Sequence, residues 1–116
     1  MNSGIEMLKN HSLKIYQAEV EKDFCFREYA IAKLREVDFK TLTDYNLVYD
    51  GNFKSILDKP GNLLEDIFTS GNIGQLRKDM ADFCKTARSI SVSDVIELDG
   101  IRYYCNPFGF IQIAGV

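Results

Sequence analysis

The chain has 116 residues, 46% apolar and 27% charged, enough for one hydrophobic core, and its two prolines and eight glycines do not suit a disordered or fibrous chain. Seventeen acids against fourteen bases give a net charge of −3, spread evenly on either side of Pro60, so neither the basic face of a nucleic-acid reader nor the carboxylate rows of a DNA mimic is expected. No apolar run approaches the ~20 residues of a membrane span, and Met1 to Leu13 lacks the apolar stretch of a signal peptide, so the expected setting is the cytosol.

In chain order, residues 1–12 are polar with weak periodicity and read as a flexible lead-in, leaving 13–116 as a single domain. Leu13, Ile15 and Gln17 alternate with Lys14, Tyr16 and Ala18, which predicts a strand. Asp23 is a plausible N-cap. Phe26, Ala30, Leu34 and Val37 then form one apolar stripe, predicting an amphipathic helix over 26–37. Tyr45, Leu47 and Tyr49 alternate as a second strand, which Asp50-Gly51 should end in a tight turn. Lys59-Pro60-Gly61 punctuates the middle of the chain. Leu63, Leu64, Ile67 and Phe68 mark a short helix that Gly71 closes. Leu76, Met80 and Phe83 predict another over about 73–85.

The C-terminal quarter is richer in β signals. Ile90, Val92, Val95, Ile96 and Leu98 form a β-branched run, followed by Asp99-Gly100, the strongest short-range hairpin signal. Ile101, Tyr103 and Cys105 continue the alternation, Asn106-Pro107 turns the chain, and 108–113 forms a last strand. Five strands and about three helices in the order β-α-β-α-α-β-β-β, with the last strands clustered, predict an α+β fold. Its mostly antiparallel sheet could curl toward a partly open barrel.

Chemistry-bearing groups are scarce. Cys25, Cys84 and Cys105 are an odd set without CxxC spacing, which argues against a disulfide scaffold or zinc ribbon and for buried, reduced thiols. The one histidine, His11, falls in the lead-in, away from any fixed nucleophile. No metal motif and no cofactor motif is present, and the GNIG at 71–74 is neither a P-loop nor GxGxxG. Two constellations remain. In Arg88-Ser89-Ile90-Ser91-Val92-Ser93-Asp94, the serines either face solvent, with Ser93 or Asp94 bonding local amides, or present a polar binding surface flanked by Arg88 and Asp94. In Tyr103-Tyr104-Cys105-Asn106-Pro107-Phe108, adjacent tyrosines point to opposite faces of a strand. Tyr103 is expected to be buried. Tyr104, with Arg102 and Asn106, is a candidate contact group unless a helix covers it.

The stretch SISVSDVIELDGIRYYCNPFGFIQI at 89–113 resembles the C-terminal hallmark of the YodL-like domain family. The matching residues are Ser91, Val92, Ser93, Asp94, Val95, Tyr103, Tyr104, Phe108, Gly109 and Phe110. LKIYQ at 13–17, YNLVYDG at 45–51 and LLEDIFTSGN at 63–72 are similar to three further blocks, so the likeness spans about 13–115. Ile90 stands where leucine is common, and Asn106-Pro107 where the family often has a polar pair. The resemblance implies a small domain associated with plasmids, integrative elements and phage-like islands of Firmicutes, and it implies no catalytic residue.

The first functional expectation is a non-enzymatic module that binds a host or element protein, as a monomer or small homo-oligomer, in one form acting against a host defence effector. The alternative is a nucleic-acid-associated module with a basic patch at Arg77, Lys78, Lys85 and Arg88. Third is a small enzyme using Asp94 or Tyr104 as acid or base in a pocket.

Overall fold

The computed structural model describes residues 8–70 and 88–115. Strand β1 (Lys9–Ala18) pairs on one side with β2 (Tyr45–Ser55) and on the other with β3 (Val95–Leu98). β4 (Ile101–Asn106) and β5 (Gly109–Gly115) follow as a meander, so the sheet runs β2-β1-β3-β4-β5 with every pair antiparallel. Among the described residues β2 and β5 do not pair, so the sheet is open rather than closed into a barrel. This is the expected α+β architecture, with two described helices, α1 (Tyr29–Leu34) and α2 (Pro60–Ser70). Neither is long and apolar enough to cross a membrane.

Each face of the sheet carries its own core. On one, Leu13, Ile15, Phe53, Ile96 and Leu98 pack against Leu63, Leu64 and Ile67 of α2. On the other, Ala18, Tyr45, Val95 and Tyr104 pack against Phe24, Cys25, Ala32 and Leu42 from the α1 side. The period-2 alternation of strands divides the two sets, with Val95 and Tyr104 facing one way and Ile96 and Tyr103 the other.

α2 follows its sequence closely. Pro60 occupies the first helical position, where its missing N–H costs nothing, and Leu63, Leu64 and Ile67 are buried. The Gly71 cap and the 73–85 helix lie outside the described residues.

Six expectations change. β1 begins at Lys9 rather than Leu13, because Lys9 and Asn10 join the ladder opposite Ser55 and Lys54. The 26–37 helix shrinks to six residues, since Phe26 has a left-handed φ of 66° that no helix accommodates. Its N-cap is Glu28, while Asp23 instead holds Arg35 at 2.7 Å. Of the expected stripe, Phe26, Ala30 and Leu34 face solvent, and Ala32 is the buried residue. β2 does not turn at Asp50-Gly51: Gly51 sits in the ladder opposite Leu13, with the Tyr49 ring so close that a Cβ there would meet its hydroxyl at 3.1 Å. Finally, the 90–98 run is a strand only over Val95–Leu98, because Ser93 takes a left-handed φ of 84°.

The Asp99-Gly100 hairpin forms as expected. Both residues have positive φ, 52° and 86°, the requirement of a type I′ turn. Cys25 and Cys105 are free and buried; Cys84 lies outside the described residues.

Candidate functional site

The serine–aspartate segment and the aromatic return strand come together at one end of the sheet. Below Val95 the β3–β4 ladder is continued by backbone bonds alone: Cys105 N donates to Asp94 O, and Ser93 N to Cys105 O, both at 2.9 Å. The left-handed Ser93 then turns the chain away, which aims the Asp94 carboxylate into the interior, where it has no exposed surface.

That carboxylate is fully subscribed. Arg88 grips it with both arms of its guanidinium, Nη2 to Oδ1 at 2.9 Å and Nη1 to Oδ2 at 3.0 Å. The Ser91 amide donates to Oδ2 at 2.9 Å and Gln17 Nε2 at 3.2 Å. Burial pushes the Asp94 carboxyl above its ordinary range, and the Arg88 pair, the Ser91 amide and Gln17 pull against that shift. Arg88 also donates to Ala18 O at 3.2 Å and stacks on the Phe26 ring at 4.9 Å. Gln17 returns to the Arg88 carbonyl at 2.8 Å, which closes the network.

The neighbouring polar groups pin the 19–42 segment onto the sheet. Ser93 Oγ accepts the Phe26 amide at 2.9 Å, and the Ser93 carbonyl accepts the Tyr45 hydroxyl at 2.6 Å. Tyr104 donates its hydroxyl to Arg27 O at 2.7 Å, with its ring against Tyr29 and Phe39. Burial raises the phenols of Tyr104 and Tyr45 well above the usual tyrosine range. Asn106 Oδ1 accepts the Tyr29 amide at 2.8 Å, serving as the first-turn cap that Glu28 does not supply from its own side chain. Arg102 binds Glu97 at 2.9 Å and the carbonyls of Phe39 and Lys40 at 2.6 and 2.7 Å.

The structure therefore gathers Arg88, Ser91, Ser93, Asp94, Tyr104 and Asn106 into one region, with Arg102 further along β4, but it turns them inward. Tyr104 is not an exposed contact group, because the 19–42 segment covers its face of the sheet. Ser93 is buried rather than solvent-facing. Arg88 is neutralised by Asp94, which removes it from the expected basic patch; Arg77, Lys78 and Lys85 lie outside the described residues.

A groove of about 430 Å³ does open beside this network, lined by Gln17, Ala18, Glu19, Val20, Glu21, Asn46, Val48 and Arg88. Asp94 and Tyr104 do not reach it. Among the described residues no cluster of three His, Cys, Asp or Glu side chains could hold a metal ion.

Two features escape the sequence reading. His11 lies buried on β1, with Nδ1 2.7 Å from Asp99 Oδ2, while the Ser12 amide donates to Asp99 Oδ1 at 2.9 Å. Among the described residues its Nε2 is buried without a partner, so the pair has the orienting half of a Ser-His-Asp array and, among those residues, no nucleophile. The second is Phe108. In the turn between β4 and β5 it is 101% exposed, whereas the other nine matching residues of the 89–113 stretch are buried or half-buried. A Pro-aromatic-Gly turn tip is a signal that could have identified it.

The model of the YodL-like domain matches residues 12–115, nearly the whole chain, and the chain belongs to that family. No curated protein and no solved structure matches it.

Proposed function

We propose that this YodL-like domain is a non-enzymatic protein-interaction module, carried with mobile DNA, that binds a host or element protein through the tip of the β4–β5 hairpin. Inhibition of a host defence effector is the specific form that the family's setting suggests. The observation that carries the reading is a division of labour within the family motif. Its buried polar groups at Ser93, Asp94 and Tyr104 are spent on internal bonds, whereas Phe108 stands wholly in water. Beside Phe108 lies a cleft of about 110 Å³ lined by Glu65, Phe68, Asn106, Pro107, Gly109 and Phe110. Covering one phenylalanine contributes roughly 1.5–3 kcal/mol, and aromatic anchors set in a polar rim are the usual centres of binding energy.

The test is site-specific photocrosslinking in host cells, with the reactive side chain placed at position 108 or, as a control, at the exposed Lys40. A discrete protein adduct from position 108 and none from position 40 is expected. Equal labelling at both positions refutes a hairpin-tip interface. Phe108→Ser is expected to leave stability within about 0.5 kcal/mol of the parent, since it removes no internal contact of consequence, while abolishing the adduct's native counterpart in co-purification.

A further inference from the structure

Among the described residues β5 is the edge of the sheet beyond β4, seven residues without a charged side chain or a proline. Edge strands are ordinarily guarded against strand addition by charges, prolines or bulges. At the opposite edge β2 carries the exposed Asp50. β5 has one such device, the extra residue Ile113 between Gln112 and Ala114 in the ladder to β4. Gly109–Gln112, between the turn and the bulge, carries no guard.

Two backbone bonds fix which groups of this stretch face outward. Both main-chain groups of Cys105 turn toward the β3 side, where its amide donates to Asp94 O and its carbonyl accepts from Ser93 N, each at 2.9 Å. Alternation along β4 then turns the groups of Tyr104 and Asn106 toward β5. Their ladder partners, Ile111 and Gly109, turn theirs back to β4. Among the described residues the amides and carbonyls of Phe110 and Gln112 are left on the open edge.

Two outward residues on either side of one inward residue are complementary to a second copy of themselves. Antiparallel pairing of two β5 edges about a twofold axis at Ile111 sets Phe110 of each copy against Gln112 of the other. Each such pair exchanges two main-chain bonds. Centred on Gln112, the pairing sets Phe110 against Ala114, beyond the bulge. Centred on Phe110, it sets Gln112 against Phe108, in the turn. Only the Ile111 register therefore satisfies both outward residues of both copies. It also brings Ile111, half-buried in the apolar layer of the α1 face, against its own counterpart at the axis. No charges of the strand oppose each other, because β5 carries none. We propose that β5 is a self-association edge, through which two copies of this chain pair in the Ile111-centred register. The turn that carries Phe108 lies outside the shared bonds, so the pairing does not rest on the hairpin-tip reading.

The test is sedimentation velocity across a concentration series reaching about 1 mM, the weak end of the affinity scale, with amide hydrogen exchange read at both ends of the series. The parent is expected to show a reversible monomer–dimer equilibrium, and the Phe110 and Gln112 amides to gain protection as the dimer fills. Gln112→Pro deletes an outward amide without touching the ladder to β4 and is expected to abolish the dimer. Ile111→Lys and Ile111→Glu each set like charges on the axis and are expected to weaken pairing by about fivefold or more. An equimolar mixture of those two variants sets opposite charges there and is expected to associate more tightly than either alone, which also shows that both are folded. A parent that stays monomeric throughout, or a dimer that leaves Phe110 and Gln112 unprotected, overturns the proposal. So does Gln112→Pro pairing like the parent, or a mixture no tighter than its components.

Discussion

The two faces of the sheet are held by different physics. The α2 face is an apolar contact: Leu63, Leu64 and Ile67, spaced three and four apart, settle onto Leu13, Ile15, Phe53 and Ile96. The α1 face carries apolar residues too, yet its covering segment follows an irregular path fixed by polar pins. Ser93 holds the Phe26 amide, Tyr104 the Arg27 carbonyl, Asn106 the Tyr29 amide and Arg88 the Ala18 carbonyl. Non-directional burial tolerates many arrangements, whereas a hydrogen bond fixes position and direction. In this chain Arg88, Ser93, Tyr104 and Asn106 thus fix residues 18–29 against the sheet.

Four perturbations sharpen or break this contrast. Asp94→Ala should have the largest effect, a loss of roughly 3–5 kcal/mol in urea unfolding, because it strands Arg88, the Ser91 amide and Gln17 around an empty centre. Asp94→Asn keeps the shape and should fall between parent and alanine. Were Asp94→Ala to cost less than 1 kcal/mol, the polar network would be decoration on an apolar fold. Ile67→Ala, on the other face, should cost about 2–4 kcal/mol through transfer and cavity terms. It should also leave the fluorescence of the tyrosines under α1 unchanged.

Alkali provides a third probe, specific to the α1 face. Burial raises the Tyr45 and Tyr104 phenols, whose ordinary value is 10.0. A folded pKa above the unfolded one gives stability that is complete below pH 10 and declines as pH rises beyond it, because only the unfolded chain ionises. The decline is about 1.4 kcal/mol per group per pH unit, so near pH 11 the two together remove about 3 kcal/mol. Absorbance at 295 nm should show these two phenols titrating only with unfolding. Independent, earlier titration of Tyr104 would place it at the surface.

The same contrast explains what could be read from sequence. α2, the Asp99-Gly100 turn and the meander were legible because their signals are local: a 3.6-residue period, a dipeptide that tolerates positive φ, strict alternation. The α1 segment was misread because its boundaries are set by partners 67 to 77 positions away in the chain, at Ser93, Tyr104 and Asn106. Phe26 even completes a helical stripe on paper, although the Ser93 hydroxyl draws its amide into a left-handed turn. His11 looked idle for the same reason, since its partner Asp99 is 88 residues distant. The candidate site was legible as a set of residues that belong together, but not as inward-facing. Nothing local in SVSD or YYCN shows that residues 19–42 will fold over them.

Asn106→Ala is expected to have the smallest global effect, about 0.5–1 kcal/mol, and the most informative local one. A helix of six residues cannot sustain itself in water, because nucleation is costly and few propagating bonds offset it. Glu28 gives α1 no side-chain cap, so the Tyr29 amide depends on Asn106 Oδ1 at the end of β4. Removing that acceptor should let α1 open without the sheet. Hydrogen exchange at Ile31 and Ala32, whose amides bond the Glu28 carbonyl, should accelerate in the variant. Exchange at Leu63, bonded to the Lys59 carbonyl in α2, should not. Equal acceleration at both helices would mean that the two faces unfold as one unit, and that the polar pins secure the whole molecule rather than the segment they touch.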